Sequence, residues 1–298
     1  MILRAWNSAH LLLVLAALFW AGHTVALRLS VGEISPVLLM ALRWLGSVVI
    51  LVLVFRGSIL EHLPQIKARW RYIMAMGGLG LASFSILLVN AAHYTTAMNL
   101  GITQGAIPAF VMLFGLLFYR TQVSAMQLLG FVISFGGVVV LVSAGSFENL
   151  RALQISLGDL LMIAACLCYA GYAVGLAKKL DMPPVMMLIC FAFGAFVTCS
   201  IFSIAEYAQG GMILPSINGM LLVAYSAIFP SILSQTFFIR GVELAGANRA
   251  GLYVNLVPVF AAFLAVMILS EAIYFYHVVA LLAVLGGIYL AEQGKLKS

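Results

Sequence analysis

Ten long apolar runs constrain this chain more than any other feature of its sequence. Each is close to the ~20 residues that an α-helix needs to cross the hydrocarbon core of a membrane. Backbone groups find no partners in lipid, so segments of this length cross as helices. The sequence therefore predicts an all-α membrane protein with ten transmembrane helices. The runs lie at residues 8–27, 35–55, 71–93, 98–119, 125–143, 158–177, 184–206, 217–239, 247–269 and 275–292.

The composition supports a chain that is surrounded by lipid. Hydrophobic residues make up 64% of the sequence and charged residues only 8%, whereas a soluble domain typically carries about 25% charged residues. The formal net charge of +6 could suggest nucleic-acid binding. The cations, however, fall mostly between the apolar runs, and this distribution is typical of membrane topology. We therefore expect a lipid bilayer as the surroundings and no nucleic-acid partner.

The lysines and arginines predict which ends of the helices face the cytoplasm. If the N-terminus is inside, the inner segments hold twelve of the fifteen cations, and the outer loops hold only Arg28 and Arg151. Arg43 is left within a span. Because cytoplasmic loops are enriched in Lys and Arg, we expect both termini inside a bacterial-type plasma (inner) membrane. The inner cations are Arg4, Arg56, Lys67, Arg69, Arg71, Arg120, Lys178, Lys179, Arg240, Arg249, Lys295 and Lys297.

The second half of the chain repeats the first. A shift of 149 residues places the segment 18–27 on the segment 167–176, and a shift of 150 places Pro108 on Pro258. Near-constant offsets over five helices indicate a duplicated unit, with repeat 1 at residues 1–147 and repeat 2 at residues 148–298. Five is an odd number, so the second repeat must be inverted relative to the first. Inverted repeats are typical of secondary transporters, in which the substrate lies near the midplane between them.

Several motifs occupy defined places in the two halves, two of them in both halves and two in one half only. They are Trp20-Ala21-Gly22 and Tyr169-Ala170-Gly171, Arg43-Trp44, Pro108-Ala109-Phe110 and Pro258-Val259-Phe260, and Glu271 followed by Gly286-Gly287-Ile288. In these motifs the chain resembles the drug/metabolite transporter superfamily, and within it the ten-helix EamA-type carriers, over about residues 10–292. The chain departs from the family pattern at two places. Thr121 stands where the family usually has a glutamate, and Phe191-Ala192 stands where an arginine-aromatic pair would be expected. The resemblance implies transport of small organic metabolites, and the chain is most similar to bacterial exporters of amino acids, including aromatic ones.

Polar and aromatic side chains inside the spans are the candidate substrate contacts, because a polar group in lipid costs free energy and tends to face a cavity or a partner. Each has a structural alternative. The aromatic residues could be ordinary packing, the amides could be hydrogen bonds between helices, and Arg43 could reach the headgroups or pair with Glu33. The candidates are Trp20, His23, Arg43, Asn90, Tyr94, Gln104, Tyr169, Tyr172, Gln235 and Asn255.

Pro108 and Pro258 are candidate gating residues. A proline inside a helix removes a hydrogen bond and clashes with the preceding turn. We therefore expect the fourth and ninth helices to bend at matching depths, and the bends to serve in gating.

Enzyme classes find no support in the sequence. Paired acids, a histidine cluster, a nucleophile with its base and a P-loop are all missing, so we expect no catalytic residue, cofactor or metal site. The glycines of the segment 78–82 imitate a dinucleotide motif, but they lie in an apolar span, where close helix packing explains them better. The sequence predicts a secondary transporter that exports small metabolites by alternating access. A drug or other metabolite carrier of the same family and a channel remain alternatives, and a monomer is compatible with the sequence.

Overall fold

The computed structural model describes residues 6–95, 97–154, 156–269 and 272–294. Ten helices in these ranges are long and apolar enough to cross a membrane, which confirms the predicted fold class. We number them in chain order as α1 (Ala9–Leu29), α2 (Pro36–Ala68), α3 (Trp70–Ala91), α4 (Asn99–Tyr119), α5 (Ala125–Val142), α6 (Leu157–Lys178), α7 (Pro184–Ala208), α8 (Ile217–Ala245), α9 (Ala247–Ile268) and α10 (Phe275–Gln293). Glu271 of the family motif and Arg4, Lys295 and Lys297 of the charge pattern lie outside the described residues.

Most predicted helix ends agree with the structure within a few residues, and α2 is the main exception. The sequence predicts its end at residue 55, but the helix continues to Ala68. Phe55 has non-helical angles (φ −113°, ψ 19°), so the apolar span ends at a kink there. The chain resumes as a polar helix with Arg56 and Lys67. Sequence hydropathy marks the end of the apolar span and does not detect this helical continuation.

Local signals in the sequence set several helix ends. The Ser124 hydroxyl accepts from the backbone N–H of Gln127 at the start of α5, while the Gln127 side chain accepts from the backbone N–H of Ser124. Ser156 and Asp159 make the same reciprocal cap at the start of α6. This arrangement satisfies N–H groups that the first turn of a helix leaves free. Gly246 separates α8 from α9 with a φ of 81°, a conformation that favours glycine.

The two repeats interlock around their first helices. Helix α1 packs against α8 and α9 of the second repeat, and α6 packs against α3 and α4 of the first. The pairs α2–α7 and α5–α10 also join equivalent helices across the repeats. Small residues allow the closest of these contacts, since a Cβ on Gly130 would lie 2.4 Å from the carbonyl oxygen of Gly287. The centre of the molecule is therefore the region between α1 and α6.

Four helices are irregular at matching places in the two repeats. Helix α4 is interrupted at Ala106, two residues before Pro108, and α9 passes through a 3₁₀ turn at Tyr253–Asn255, three residues before Pro258. Helices α3 and α8 contain π-helical stretches at Ala75–Ala82 and Ala227–Leu233. Both prolines therefore lie just after an irregular turn, and the predicted bends and their use in gating stay predictions. Such irregular turns occur frequently at functional sites.

Candidate functional site

The structure brings three of the predicted aromatic residues together between α1 and α6. The ring of Trp20 meets that of Tyr169 edge-on at 6.1 Å, and Tyr169 lies 5.9 Å from Tyr172. Phe238 of α8 joins them at 5.3 Å from Trp20, and Phe84 of α3 lies 5.3 Å from Tyr169. We call Trp20, Phe84, Tyr169, Tyr172 and Phe238 the aromatic cluster. Both repeats contribute to it.

The aromatic cluster is inside the protein, not on its lipid face. Tyr169 and Tyr172 are only 6% and 1% exposed. The hydroxyl of Tyr172 donates to Oε1 of Gln235 at 3.2 Å, so this predicted amide belongs to the same group. Among the described residues, nothing hydrogen-bonds the buried hydroxyl of Tyr169. Because Trp20 is the twelfth of the 21 residues of α1, the cluster lies near the middle of the span.

Arg43 and His23 form a second group next to the cluster. Nη1 of Arg43 lies 2.9 Å from Nε2 of His23, and Nη2 lies 3.4 Å from the hydroxyl oxygen of Ser85. Nδ1 of His23 lies 3.2 Å from the hydroxyl oxygen of Ser226. We call Arg43, His23, Ser85 and Ser226 the Arg43 network. It joins α1, α2, α3 and α8.

The two structural alternatives for Arg43 do not hold. The side chain is buried in the protein, so it does not extend to the headgroups. Glu33 instead accepts a hydrogen bond from the Ser216 hydroxyl on the loop before α8. The guanidinium carbon lies 4.8 Å from the centre of the Trp44 ring. A cation over an indole face is favourable, so this contact stabilises the buried guanidinium.

Four other candidates do not join the aromatic cluster or the Arg43 network. Asn90 is exposed and donates to the carbonyl of Ile86 in its own helix, and Tyr94 is exposed beyond the end of α3. Asn90 is the last residue but one of α3, and Tyr94 follows the end of the helix at Ala91.

Asn255 is buried and donates to the hydroxyl of Ser134 at 3.0 Å, so it links α9 to α5. It matches the alternative of a hydrogen bond between helices. Gln104 is half-buried one residue before the end of the first segment of α4, beside the interruption.

A cavity opens at the face where α1 begins and α10 ends, which we call the terminal face. Its volume is about 990 Å³. Nδ1 of His10 lies 2.5 Å from the hydroxyl of Tyr253, and Nη1 of Arg249 lies 3.1 Å from Oε2 of Glu292. Its polar lining comprises Asn7, Ser8, His10, Tyr119, Thr121, Gln122, Gln127, Asn248, Arg249 and Glu292.

The cavity and the aromatic cluster share helix α6. Val174 and Ala177 line the cavity, and Val174 is two residues, or about 3 Å of helix rise, beyond Tyr172 of the cluster. None of the five cluster residues is among those that line the cavity.

Hydrogen bonds join helices and loops at the opposite face of the bundle. Oδ1 of Asp159 accepts from the Thr95 hydroxyl at 2.6 Å, and Oδ2 accepts from the Asn99 amide at 3.1 Å. The loops before α2 and α8 also pair, because Ser35 and Ile213 exchange two hydrogen bonds of 3.0 Å and 2.6 Å. These contacts hold the connection between α3 and α4 on α6, and the α1–α2 loop on the α7–α8 loop.

Comparison with known proteins identifies the family. The model of the EamA-like transporter family matches the chain twice, at residues 7–143 and 156–292. The chain belongs to the EamA-like transporter family. The two matches start at the 149-residue offset of the internal repeat. The chain is therefore a multi-pass membrane transporter, and the EamA-type resemblance of its motifs is confirmed. The predicted boundary between the repeats at residue 147 stays a prediction.

Similar transporters extend over nearly the whole chain. An "uncharacterized transporter" of Archaeoglobus fulgidus is 28% identical over 95% of this chain and 97% of its own length. The "uncharacterized transporter YyaM" of Bacillus subtilis is 24% identical over 92% and 91%, and the "uncharacterized inner membrane transporter YedA" of Escherichia coli is 24% identical over 93% and 88%. None of these three names states a substrate, so similarity to amino-acid exporters stays a prediction.

A solved structure shares the fold. A crystal structure titled only as that of a protein aligns with a TM-score of 0.76 over 96% of both chains, at 20% sequence identity. This likeness concerns the fold alone. It agrees with the ten-helix arrangement described above.

Sequence reasoning missed several residues that complete these groups. The sequence does not single out Phe84, Phe238, Ser85 and Ser226, because a small hydroxyl or a phenyl ring is common in an apolar helix. The repeat offset contained a usable signal, since a shift of 150 places Ser85 on Gln235. Pairing each candidate with its counterpart would therefore have selected Ser85.

Proposed function

We propose that this protein is a secondary transporter that exports small organic metabolites, amino acids including aromatic ones, by alternating access. The observation that carries the proposal is the difference between two related faces. A shift of 149 places His10 on Asp159. His10 lines an open cavity at the terminal face, whereas Asp159 is engaged in closing contacts at the opposite face.

Such a difference is what two inverted repeats produce when each adopts a different conformation. If the repeats exchange conformations, the contacts around Asp159 open and the equivalent contacts around His10 close. The irregular stretches of α3, α4, α8 and α9 supply places where these helices can change direction. One site between α1 and α6 is then reached from each face in turn.

The aromatic cluster suits a substrate with an apolar group. An aromatic side chain buries about 150–250 Å². At about 25 cal/mol per Å², this burial contributes about 4–6 kcal/mol before the costs of association. Amino acids with aromatic side chains combine such a group with a small polar end. Gln235 and the free hydroxyl of Tyr169 are available for polar contacts beside the rings.

The proposed export depends on sidedness and on the gradients across the membrane. With both termini in the cytoplasm of a bacterial-type inner membrane, the open cavity faces the inside and can load a substrate there, which is a step that export requires. Reporter fusions after Lys67, Arg120, Lys179 and Arg249 should all read cytoplasmic. One periplasmic reading among the four would overturn this topology. A monomer is sufficient for the mechanism, because the chain itself contains both repeats.

A second candidate is a carrier of drugs or other metabolites of larger size. The volume of about 990 Å³ favours it, since it lies at the upper end of ligand pockets. A channel is less favoured, because the contacts of Asp159 close the opposite face while the terminal face is open.

The test is uptake by proteoliposomes that contain the purified protein. Labelled amino acids, nucleosides and organic cations are each offered with and without a proton gradient, and empty liposomes serve as the control. We expect saturable uptake of amino acids and exchange with unlabelled substrate inside. Flux that never saturates would indicate a channel, and uptake of cationic drugs alone would support the second candidate.

A further inference from the structure

We propose that Arg43 binds a carboxylate of the transported molecule, and that the imidazole of His23 occupies this position when no substrate is bound. The site then selects organic acids and zwitterions that carry an apolar group. This inference rests on the proposed transport function and names the chemical class of its substrates.

The first step is the charge of Arg43. Its side chain is 6% exposed and lies eight residues into α2. Among the described residues, no carboxylate is within ion-pair distance of it, and its recorded hydrogen-bond partners are the neutral groups of His23 and Ser85. A buried charge without a counter-ion is unfavourable. An anion supplied by the substrate would remove this cost.

The second step is the number of free donors. A guanidinium has five N–H groups. One bonds His23, one makes a long contact of 3.4 Å to Ser85, and Nε is buried without a partner in the described structure. A carboxylate takes two parallel N–H donors from one arginine. A phosphate dianion would require further cations. The other described arginines and lysines lie near the ends of the helices or in loops, except Arg56, which is exposed beyond the kink of α2.

The third step is the state of His23. Arginine can only donate, so Nε2 of His23 must accept from Nη1 and carries no proton. The proton is therefore on Nδ1, which donates to the Ser226 hydroxyl. His23 is a neutral acceptor in the place where an anionic acceptor would bind more strongly. A carboxylate can replace it while the ring keeps its bond to Ser226.

The fourth step is the position of the network relative to the aromatic cluster. His23 is one helical turn from Trp20 on α1, and Ser85 follows Phe84 on α3. A carboxylate on Arg43 therefore places an attached apolar group beside Trp20 and Tyr169. The hydroxyl of Tyr169 is buried without a hydrogen-bond partner among the described residues, so it can bond a polar group of the substrate.

The experiment compares molecules that carry a carboxylate with analogues that lack one. Phenylalanine, phenylpropionate, phenylalaninamide and phenethylamine are measured for equilibrium binding to the purified protein and for proteoliposome uptake. We expect the two acids to bind at least about tenfold more tightly than the two molecules without a carboxylate, as a charged hydrogen-bonded pair implies. Wild-type protein is sufficient for this comparison, so it does not depend on a variant that folds.

Variants then assign the effect to the network. Arg43→Gln should weaken binding of the acids at least about tenfold and leave binding of phenylalaninamide unchanged. The control is Arg56→Gln, because Arg56 is an exposed arginine of the same helix. His23→Ala should tighten binding of the acids, because it removes the competing acceptor. If His23 were only structural, its replacement would weaken binding of every ligand alike. Thermal melting of each variant reports whether it folds.

The outcomes separate the two proposals. The carboxylate site is overturned if phenylalaninamide and phenethylamine bind as tightly as the two acids, or if Arg43→Gln weakens the binding of all four molecules equally. Transport of the two molecules without a carboxylate would then leave the proposed function intact. If acids bind through Arg43 but nothing is transported, the carboxylate site stands and the transport function falls. Absence of binding by every acid would overturn the inference.

Discussion

Asp159→Asn is expected to shift the protein towards a conformation that is open on the opposite face. The Asp159 carboxylate is 8% exposed and holds the Thr95 hydroxyl and the Asn99 amide at 2.6 Å and 3.1 Å. These two bonds connect α6 to the segment between α3 and α4, which must separate when this face opens. The bonds from Ser156 are different, because they cap α6 itself and remain in both conformations.

The size of the shift follows from the two bonds that cross between helices. Hydrogen bonds to a charged group contribute about 1.5–3 kcal/mol each, and the loss of the charge roughly halves them. The two bonds use different carboxylate oxygens, and asparagine keeps only one acceptor oxygen, so one bond is halved and the other is lost. The closed face should lose about 2–4.5 kcal/mol in total. That corresponds to a shift of about 40- to 2,000-fold in the ratio of the two conformations.

Cysteine labelling measures this shift on both faces. Cys199 is fully buried in α7, and it serves as the only cysteine after the other three are replaced. Its reaction with a maleimide should become faster in Asp159→Asn. A cysteine at Asn248, in the wall of the terminal cavity, should react more slowly. The control is Glu148→Gln, which removes an exposed acid near the opposite face.

The labelling pattern can also refute the reasoning. Faster reaction at both positions would mean that the substitution loosens the protein without changing its conformation. Unchanged reaction at both would mean that Asp159 does not hold the opposite face closed.

Three further predictions concern the cluster, the prolines and helix packing. Trp20→Ala should slow transport of phenylalanine more than that of alanine, which a competition assay on proteoliposomes can measure. Pro108→Ala and Pro258→Ala should each slow transport more than they lower protein yield, because they restore a helical hydrogen bond at an interruption. Gly130→Ala should destabilise the protein by about 1–3 kcal/mol, measured by thermal melting, because its Cβ would meet a carbonyl oxygen at 2.4 Å. Gly136→Ala, with nothing within 4 Å of its Cβ, should not.

The sequence predicts the helices well because each depends on a local property. A run of apolar residues and a charge or a Ser-Pro pair at its end are sufficient to place α1, α5 or α10. The extension of α2 shows the limit of this reasoning. Residues 56–68 are too polar to be a span, yet they continue the helix beyond the kink at Phe55. Hydropathy describes the lipid environment and not the hydrogen bonding of the backbone.

The candidate site depends on contacts between helices, and these are only partly visible in a sequence. Trp20, Tyr169 and Tyr172 were found because the repeat places them on equivalent faces. Asn255 and Asn90 show why polarity alone is insufficient. Each is polar in an apolar context, but one bonds another helix and the other bonds its own backbone. The terminal cavity was missed because residues such as His10 come from the ends of spans, where polar side chains are ordinary.

The internal repeat also shows that the Arg43 network and its counterpart in the second repeat are chemically different. A shift of 149 to 150 places His23 on Tyr172 and Ser85 on Gln235, and it places Arg43 next to Phe191.

These counterparts again contact each other. Tyr172 donates to Gln235, and its ring lies 6.0 Å from that of Phe191. The same architecture therefore holds a cation towards the opposite face and aromatic rings towards the terminal face. If both groups bind one substrate, its carboxylate points to the opposite face and its apolar part to the terminal face. When the repeats exchange conformations, the environment of each end changes differently, because the residues around the two ends are not equivalent. A symmetric fold can thus hold a polar molecule in a single orientation throughout the cycle.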